Sequence, residues 1–233
     1  MCGEKAIAII TARGGSKRIP RKNIKKFCGK PIIEYSIQAA LESGMFDEVM
    51  VSTDDREISE IAKAVGAKVP FMRSEETSND FATTSDVLRE VLIEYKKRGC
   101  VFRYACCIYP TAPFVTGEKL KRAMEELIHG EENTVMPVTQ FSFPPQRGVY
   151  VREGKAIFAL PEYKKARSQD IEPVYHDCGQ FYCFKVREFL ETGELVGESV
   201  RVMPVTELEV QDIDNESDWK MAELKYQYMK NGE

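Results

Sequence analysis

A basic, glycine-containing segment near the N-terminus, residues 11–23 (TARGGSKRIPRKN), holds the side chains best suited to chemistry. Gly14 and Gly15 allow backbone N–H groups to approach an anion closely, and Ser16 adds a hydroxyl donor. Charge-assisted hydrogen bonds to phosphate oxygens can come from five cationic side chains: Arg13, Lys17, Arg18, Arg21 and Lys22. The segment therefore predicts a cradle for a polyanion such as a triphosphate.

Two familiar phosphate-binding patterns are absent from this segment, namely the Walker sequence ending in Gly-Lys-Ser/Thr and the dinucleotide sequence GxGxxG. The competing interpretation is a solvated basic turn. However, the segment directly follows residues 5–12 (KAIAIITA), an apolar and β-branched run that predicts a central strand. Because ligands of open α/β sheets bind at the carboxyl ends of strands, this position favours a phosphate site.

A pair of carboxylates, Asp212 and Asp214, forms the second chemical feature. In extended backbone after a strand, alternation sends both side chains to one face and Ile213 to the other. Two hard oxygen ligands one residue apart suit Mg²⁺, which prefers oxygen and keeps several waters. The alternative is a pair of aspartates that caps the following helix. A similar pair, Asp54 and Asp55, is interpreted as the end of a strand and a helix cap.

Apolar runs and helical periodicity alternate along most of the chain. Strands are predicted at 5–12, 48–53, 67–71, 103–109, 134–138, 181–184 and 200–205. Helices are predicted at 31–41, 54–65, 83–98, 116–129 and 187–190. A last helix, capped by Asn215 or Ser217, runs to about Met229. This alternation predicts an α/β fold with a doubly wound, mostly parallel sheet.

Residues 139–180 interrupt the alternation, because they hold two adjacent prolines and a predicted hairpin at 147–160. Insertions of this kind often carry contacts to a partner or substrate. We therefore expect residues 1–233 to form one domain with a small inserted lobe at about 139–180.

Composition limits the classes of ligand and the compartment. The formal net charge is −4, which argues against a general nucleic-acid binder. No apolar stretch approaches the roughly 20 residues that span a bilayer, so no membrane association is expected. Residues 1–5 lead straight into the first predicted strand without a signal-peptide apolar region. The seven cysteines lack zinc-ligand spacing, and reduced thiols together with the missing leader predict a cytoplasmic protein.

The segment ARGGSKRIPRKN resembles the N-terminal signature of the CMP-sialic acid synthetase family of nucleotidyltransferases. The resemblance continues through residues 51–55, 70–73, 110–113 and 167–170. It implies a Rossmann-like fold and a homodimer built partly through the inserted lobe. It also implies magnesium-dependent transfer of CMP from CTP to an acidic nonulosonate sugar, with release of pyrophosphate.

The same resemblance assigns roles to individual residues. Those expected to contact the nucleotide are Ala12, Arg13, Gly14, Gly15, Ser16, Lys17, Lys22, Asn23, Arg73, Thr83 and Thr84. Those expected to act in catalysis are Arg13, Lys22, Asp212 and Asp214, and the two aspartates are the expected Mg²⁺ ligands.

The expected sugar contacts are Tyr109, Arg167, Gln169, His176, Gln180 and Phe181. Tyr109 stands where most sialic-acid enzymes of the family have glutamine, and Gln180 follows Cys178-Gly179 where an asparagine-glycine pair is usual. These segments resemble the branch that acts on pseudaminic acid. Arg167 is expected to pair with the sugar carboxylate. An apolar wall is expected from Phe141, Phe143, Phe158 and Phe181.

Three alternatives remain open at this point. The same reaction could use N-acetylneuraminate, legionaminate or another keto-sugar acid. The chain could also be a non-catalytic nucleotide-binding protein of the same fold. An ATP-hydrolysing P-loop protein is disfavoured by the missing Walker sequence.

Overall fold

A computed structural model of the chain describes residues 5–231. Residues 1–4, on which the predicted lack of a leader depends and which include Cys2, lie outside the described residues. The strands are β1 (Ala6–Thr11), β2 (Lys26–Phe27), β3 (Lys30–Pro31), β4 (Glu48–Ser52), β5 (Tyr104–Ile108), β6 (Thr134–Gln140), β7 (Val149–Arg152), β8 (Lys155–Phe158), β9 (Tyr175–Asp177), β10 (Phe181–Lys185) and β11 (Val200–Pro204).

The central sheet has seven strands in the order β11-β6-β10-β5-β1-β4, with β9 paired to β6. Strand β1 is parallel to both of its neighbours, β4 and β5, and β6 is parallel to β11. Strand β10 is antiparallel to β5 and β6, and β9 is antiparallel to β6. Five strands thus share one direction, which confirms the predicted mostly parallel sheet.

Helices cover both faces of this sheet. They are α1 (Ile32–Glu42), α2 (Arg56–Val65), α3 (Glu75–Ser78), α4 (Thr84–Lys97), α5 (Gly117–His129), α6 (Val186–Thr192) and α7 (Glu216–Asn231). Alternate residues of β1 face the two helix layers on either side of the sheet. Ala8 and Ile10 pack with α1, α2 and α5. Ile7 and Ile9 pack instead with α4 and α6. This two-sided burial explains why the strand is apolar throughout, and it confirms the doubly wound, Rossmann-like fold.

Two of the local predictions that differ from the structure involve proline. The strand predicted at 67–71 is reduced to one bridge between Met50 and Lys68. Pro70 accounts for the difference, since it has no N–H to donate to a ladder. The helix predicted at 31–41 starts one residue later, because Pro31 takes an extended ψ of 133° and flanks Ile32, where α1 begins.

The loops that carry the predicted chemistry meet at one edge of the sheet. Register pairs Thr11 with Ser52 and Ile10 with Ile108, so β1, β4 and β5 end side by side. The basic loop, residues 12–23, therefore emerges beside the loops that follow β4 and β5. The parallel strand ends thus bring segments distant in sequence to one place.

Helix α7 fastens the basic loop to the C-terminal part of the chain. Trp219 is 3% exposed and packs with Phe27 at 5.7 Å between ring centroids. Ile19 of the basic loop and Ile213 of the acidic segment are buried in the same apolar cluster. Burial of these side chains in one cluster holds the two candidate catalytic segments against each other.

The segment between β6 and β9 contains the antiparallel hairpin β7–β8, as predicted at 147–160. Most of its apolar side chains are exposed, for example Val151 at 75% and Phe143 at 83%. Within residues 5–231, no helix combines the length and the apolar character that crossing a membrane requires.

The aromatic cluster under α7 generates a stability prediction. Trp219→Ala should lower the free energy of unfolding by about 3–5 kcal/mol, because it leaves a cavity among buried rings. Tyr228→Ala on the same helix is the matched control, since Tyr228 is 68% exposed. Denaturant unfolding followed by circular dichroism measures both. Equal effects of the two substitutions would show that α7 is not anchored through Trp219.

Candidate active site

Two adjacent cavities open at the edge where β1 and β5 end. The basic cavity, about 560 Å³, is lined by the basic loop, Arg73, residues 79–84 and Asp214. The polar cavity, about 670 Å³, is lined by residues 139–142, 176–180 and 207–212 together with Lys225. Both volumes fall within the ~300–1,000 Å³ typical of small-molecule sites. Lys22, Tyr109 and Thr111 line both cavities.

Carboxylates from other segments balance the cations of the basic loop. The pairs are Arg13 and Lys17 with Asp80, Arg18 with Asp214, and Arg21 with Asp55 and Glu57. Hydrogen bonds from Lys17 and Arg13 hold the pKa of the Asp80 carboxyl below its usual value. Asp80 itself is half-exposed, so phosphate oxygens can take its place on Arg13 and Lys17.

Lys22 is held differently from the other cations. Its Nζ donates to the backbone carbonyl of Ile213 at 2.7 Å, so its direct partner is neutral. Burial lowers the pKa of this ammonium, and the charges of Asp214 and Asp212 offset part of that shift. Lys22 therefore places a partly desolvated positive charge where the two cavities join.

Gly14 is required by the close approach of the basic loop to the end of β4. Its N–H donates to Asp54 Oδ1 at 2.9 Å. A Cβ at this position would lie 2.8 Å from Asp55 Oδ2. Asp55 caps α2 by accepting from the N–H of Ile58, which confirms its predicted role. The glycine thus lets the loop pack against a helix cap and turn its cations towards the cavity.

Arg73 and Thr84 form the far wall of the basic cavity. Arg73 is 8% exposed, and its guanidinium donates to Ser52 O at 2.6 Å and to Ser52 Oγ at 3.0 Å. Burial lowers the pKa of this guanidinium. Thr83 caps α4 through a reciprocal bond pair with Asp86. These contacts fix the orientation of polar groups that could recognise a base.

A hydrogen-bonded chain of side chains runs from the basic cavity into the polar cavity. Thr84 Oγ1 lies 3.2 Å from Tyr109 OH, and the Tyr109 ring contacts Tyr182 edge to face at 5.8 Å. The hydroxyl of Tyr182 donates to Asp177, whose other oxygen accepts from Gly179 N at 2.8 Å. Burial raises the pKa of Tyr182, as does its bond to Asp177. Tyr109 therefore stands between the two ligand spaces.

Gln180 lines the polar cavity and has one buried side-chain atom without a hydrogen-bond partner among the described residues. Its side chain is 3% exposed, and Nε2 donates to Glu209 O at 2.6 Å. Among the described residues its Oε1 is buried without a partner. A buried carbonyl oxygen of this kind requires a donor. His176 also lines this cavity, and its ring lies 4.6 Å from that of Phe141.

The acidic pair lies where the two cavities meet, with Asp214 lining the basic cavity and Asp212 the polar cavity. Ile213 is 1% exposed, as alternation predicted. The pair follows a 3-10 turn at Glu207–Glu209 rather than a strand. Neither carboxylate caps α7, because the side chain of Asn215 accepts from the N–H groups of Ser217 and Asp218.

Six predicted contact residues lie outside both cavities, and Phe181 is one of them. Ala12 is fully buried in the core, and Gly14 and Gly15 do not line the basic cavity. Arg167 and Gln169 are exposed on the inserted lobe and line neither cavity.

The predicted role of Phe181 is wrong for its side chain. Phe181 is fully buried, because strand alternation turns it into the same core as Cys183. The aromatic surface in the cavity is therefore smaller than predicted. Phe141 lines the polar cavity, whereas Phe143 and Phe158 do not.

Asp80 and Lys225 are among the cavity residues that the sequence analysis did not single out. Asp80 holds Arg13 and Lys17, and Lys225 lines the polar cavity from α7. A single acidic residue in a polar stretch carries no local signal. The sequence around Lys225 is typical of an exposed helix position, and only the tertiary fold shows that this residue lines the cavity.

The arrangement suits transfer of a phosphorus-containing group between two ligands. The basic cavity offers cations and oriented donors to a polyanion, while the polar cavity offers carboxylate, amide and hydroxyl groups. Lys22 and the acidic pair stand between them, where charge would change during transfer.

Comparison with known proteins identifies the family and the fold. A family model described as cytidylyltransferase matches residues 7–191. The chain is 40% identical over 223 residues to a pseudaminic acid cytidylyltransferase of Campylobacter jejuni, covering 95% of this chain and 96% of that protein. It is 32% identical over 232 residues to a CMP-N,N'-diacetyllegionaminic acid synthase of Legionella pneumophila, covering 94% and 95%.

Among solved structures, the chain resembles CMP:2-keto-3-deoxy-manno-octonic acid synthetase complexed with CTP. The TM-score is 0.68 at 19% identity, covering 97% of this chain and 99% of that one. This similarity concerns the fold alone.

The position of Lys22 generates a prediction for nucleotide binding. Lys22→Ala should weaken binding and turnover of CTP and leave the fold intact, with a loss of about 2–4 kcal/mol of transition-state stabilisation. Lys26→Ala is the matched control, because Lys26 is an exposed cation near the same loop and lines neither cavity. Calorimetric titration and steady-state kinetics measure the effect. Unchanged kinetics in folded Lys22→Ala would contradict the role of this residue.

Proposed function

This chain belongs to the cytidylyltransferase family, and we propose that it transfers CMP from CTP to the anomeric hydroxyl of a nonulosonic acid. The new bond joins that oxygen to the α-phosphorus, the α–β phosphoanhydride breaks, and pyrophosphate leaves. The hydroxyl proton is released. The observation that carries the proposal is the pair of cavities that meet at Lys22.

Each cavity supports one half of the reaction. In the basic cavity Arg13, Lys17 and Lys22 would bind the triphosphate, and Arg73 with Thr83 and Thr84 would border the cytidine. In the polar cavity Tyr109, His176 and Gln180 would contact the sugar. Holding both reactants at one junction turns a bimolecular step into an effectively unimolecular one, so positioning supplies much of the catalysis.

Mg²⁺ is proposed as the cofactor, and the residues present fit it. Within residues 5–231, no cluster of three or more His, Cys, Asp or Glu side chains could hold a metal alone. Mg²⁺ in phosphoryl-transfer sites needs only one or two carboxylates, with substrate phosphates and waters completing its shell. Asp212 and Asp214 would hold the ion at the junction. When bound, it neutralises charge on the phosphate oxygens.

Pseudaminic acid is the proposed sugar. The support comes from the 40% identity to a pseudaminic acid cytidylyltransferase over 95% of the chain. Tyr109 and Gln180 line the cavity at the positions where the sequence departs from the sialic-acid pattern, and Phe141 adds an apolar surface. Legionaminate and N-acetylneuraminate remain the alternatives that the substrate test must separate.

A homodimer and a cytoplasmic location are also proposed. Exposed apolar side chains on the inserted lobe, such as Tyr150, Val151 and Ile157, support a contact with a second copy. Six cysteines of the described chain are free thiols, as expected in a reducing compartment.

The acidic pair generates a prediction for metal dependence. Asp212→Asn and Asp214→Asn should each abolish magnesium-dependent turnover with little loss of stability, because each removes a charged oxygen ligand. Asp218→Asn is the matched control, since Asp218 accepts the N–H groups of Asp214 and Asn215. That substitution should lower stability by about 0.5–2 kcal/mol through the helix cap and keep the metal dependence.

Pyrophosphate release against a Mg²⁺ titration, with thermal unfolding in parallel, measures these variants. If Asp212→Asn and Asp214→Asn both keep near-normal turnover and an unchanged magnesium dependence, the pair does not bind the metal.

The choice of sugar is tested by kcat/KM at saturating CTP. Pseudaminate should be the best substrate and N-acetylneuraminate a poor one, because the apolar surface of Phe141 in the polar cavity offers no partner to the hydroxylated tail of N-acetylneuraminate. Each buried hydroxyl without a partner costs about 1–3 kcal/mol, or roughly 10- to 100-fold. A preference for N-acetylneuraminate, or equal use of both, would overturn pseudaminate and leave the cytidylyltransferase reaction standing.

A further inference from the structure

Two cations of the basic loop hold the same carboxylate. Asp80 Oδ1 accepts from Arg13 Nη1 at 2.9 Å, and Asp80 Oδ2 accepts from Lys17 Nζ. All three side chains line the basic cavity. Because the proposed function assigns Arg13 and Lys17 to the triphosphate, the Asp80 carboxylate lies on these cations where phosphate oxygens would have to bind.

Asp80 differs from the carboxylates that balance other cations of the loop. Asp55, which pairs with Arg21, also caps α2, and its side chain is 19% exposed. The side chain of Asp80 is 46% exposed, and among the described residues its carboxylate forms hydrogen bonds and ion pairs only with Arg13 and Lys17. The two ion pairs of Asp80 can therefore break without the loss of a helix cap.

The segment that carries Asp80 is tied to α4 at both ends and lies on the surface between them. At one end Glu90 of α4 accepts from the N–H of Ser74 at 2.9 Å, and at the other end Thr83 caps α4. Between these points α3 has no buried residue, and Phe81 is 94% exposed. This segment can therefore move away from the basic loop without exposing core residues.

Phosphates and Asp80 cannot share Arg13 and Lys17 without repulsion. Phosphate oxygens within hydrogen-bonding distance of both cations would lie close to the carboxylate, and like charges at such a separation repel. Exposed ion pairs contribute little stability in water, so a polyphosphate can displace the carboxylate. The same carboxylate can pair with the cations again once the polyphosphate leaves.

We propose that Asp80 is an internal competitor for the phosphate site. It is displaced when the triphosphate binds, and it returns to Arg13 and Lys17 as pyrophosphate leaves. The proposal rests on the proposed function and adds how one of its products is released. Asp80 lowers the affinity of the basic cavity for polyphosphates, and in exchange it prevents pyrophosphate from remaining on the cations after transfer.

The competing role for Asp80 is to orient Arg13 and Lys17 and to stay beside them when phosphates bind. The two roles predict opposite signs for one substitution. Removal of an internal competitor strengthens the binding of phosphates, whereas removal of an orienting carboxylate weakens it. Only displacement also moves the segment that carries Asp80.

The first experiment measures the affinity for phosphates without the sugar. Wild type, Asp80→Asn and Glu57→Gln are titrated calorimetrically with pyrophosphate and with CTP at one fixed Mg²⁺ concentration. Glu57→Gln is the matched control, because it removes the same charge from an exposed carboxylate that pairs with Arg21 of the same loop. Neither Glu57 nor Arg21 lines the basic cavity.

The second experiment follows the segment itself. Phe81→Trp places an indole beside Asp80 at an exposed position. Wild type, whose single tryptophan is Trp219, gives the background fluorescence. The same titrations with pyrophosphate and CTP are repeated with Phe81→Trp and with Phe81→Trp combined with Asp80→Asn.

Asp80→Asn should bind pyrophosphate and CTP about 3- to 30-fold more tightly than wild type, the range for two exposed ion pairs, and Glu57→Gln should stay within about twofold of wild type. Pyrophosphate should also become a stronger inhibitor of turnover in Asp80→Asn by a similar factor. The fluorescence of Phe81→Trp should change when pyrophosphate binds, and the change should shrink when Asp80→Asn is added.

The proposal is overturned if Asp80→Asn binds these anions no more tightly than wild type, or if Glu57→Gln strengthens binding as much. It is also overturned if the fluorescence of Phe81→Trp does not change on binding. Binding of pyrophosphate requires no sugar, so turnover of CTP with pseudaminate by wild type tests the proposed function separately.

Discussion

The structure depends on how a concentrated positive charge is accommodated at the end of β1. Five cations within ten residues would repel one another unless other charges balanced them. Asp80, Asp214, Asp55 and Glu57 provide that balance from three other parts of the chain. Folding is therefore required to assemble the loop. The exposed pairs add little stability in water, which makes them easy to exchange for phosphate oxygens.

Helix α7 connects this charged loop to the acidic pair. The buried cluster of Ile19, Phe27, Ile213 and Trp219 joins segments nearly two hundred residues apart in sequence. The bond from Lys22 to the carbonyl of Ile213 crosses the same gap. Apolar packing fixes the backbone, and the hydrogen bond then sets the position of a single cation. Packing alone specifies a distance only loosely, and the partly buried hydrogen bond adds the finer position of the ammonium.

The sequence predicted what local signals encode. The buried strands, the basic loop and the alternation at Asp212, Ile213 and Asp214 follow from periodicity and composition within a few residues. The side chain of Phe181 did not fit its predicted role, because the facing of β10 depends on pairing with a distant strand. The predicted role of Arg167 stays a prediction, since this side chain is exposed on the inserted lobe. Asp80 and Lys225 line the two cavities only because folding brings distant segments together, and no local pattern marks them.

The two cavities differ in how their walls are built, and this difference separates the two recognition tasks. The basic cavity is lined mainly by residues 11–111, at the ends of strands held by continuous backbone ladders. The wall of the polar cavity at 207–210 is held instead by side chains, because Gln180 and Lys225 bind its carbonyls. A wall of this kind can change with one or two substitutions and leave the sheet intact. Under the proposed function, selection among related acidic sugars would therefore vary while the basic cavity is preserved.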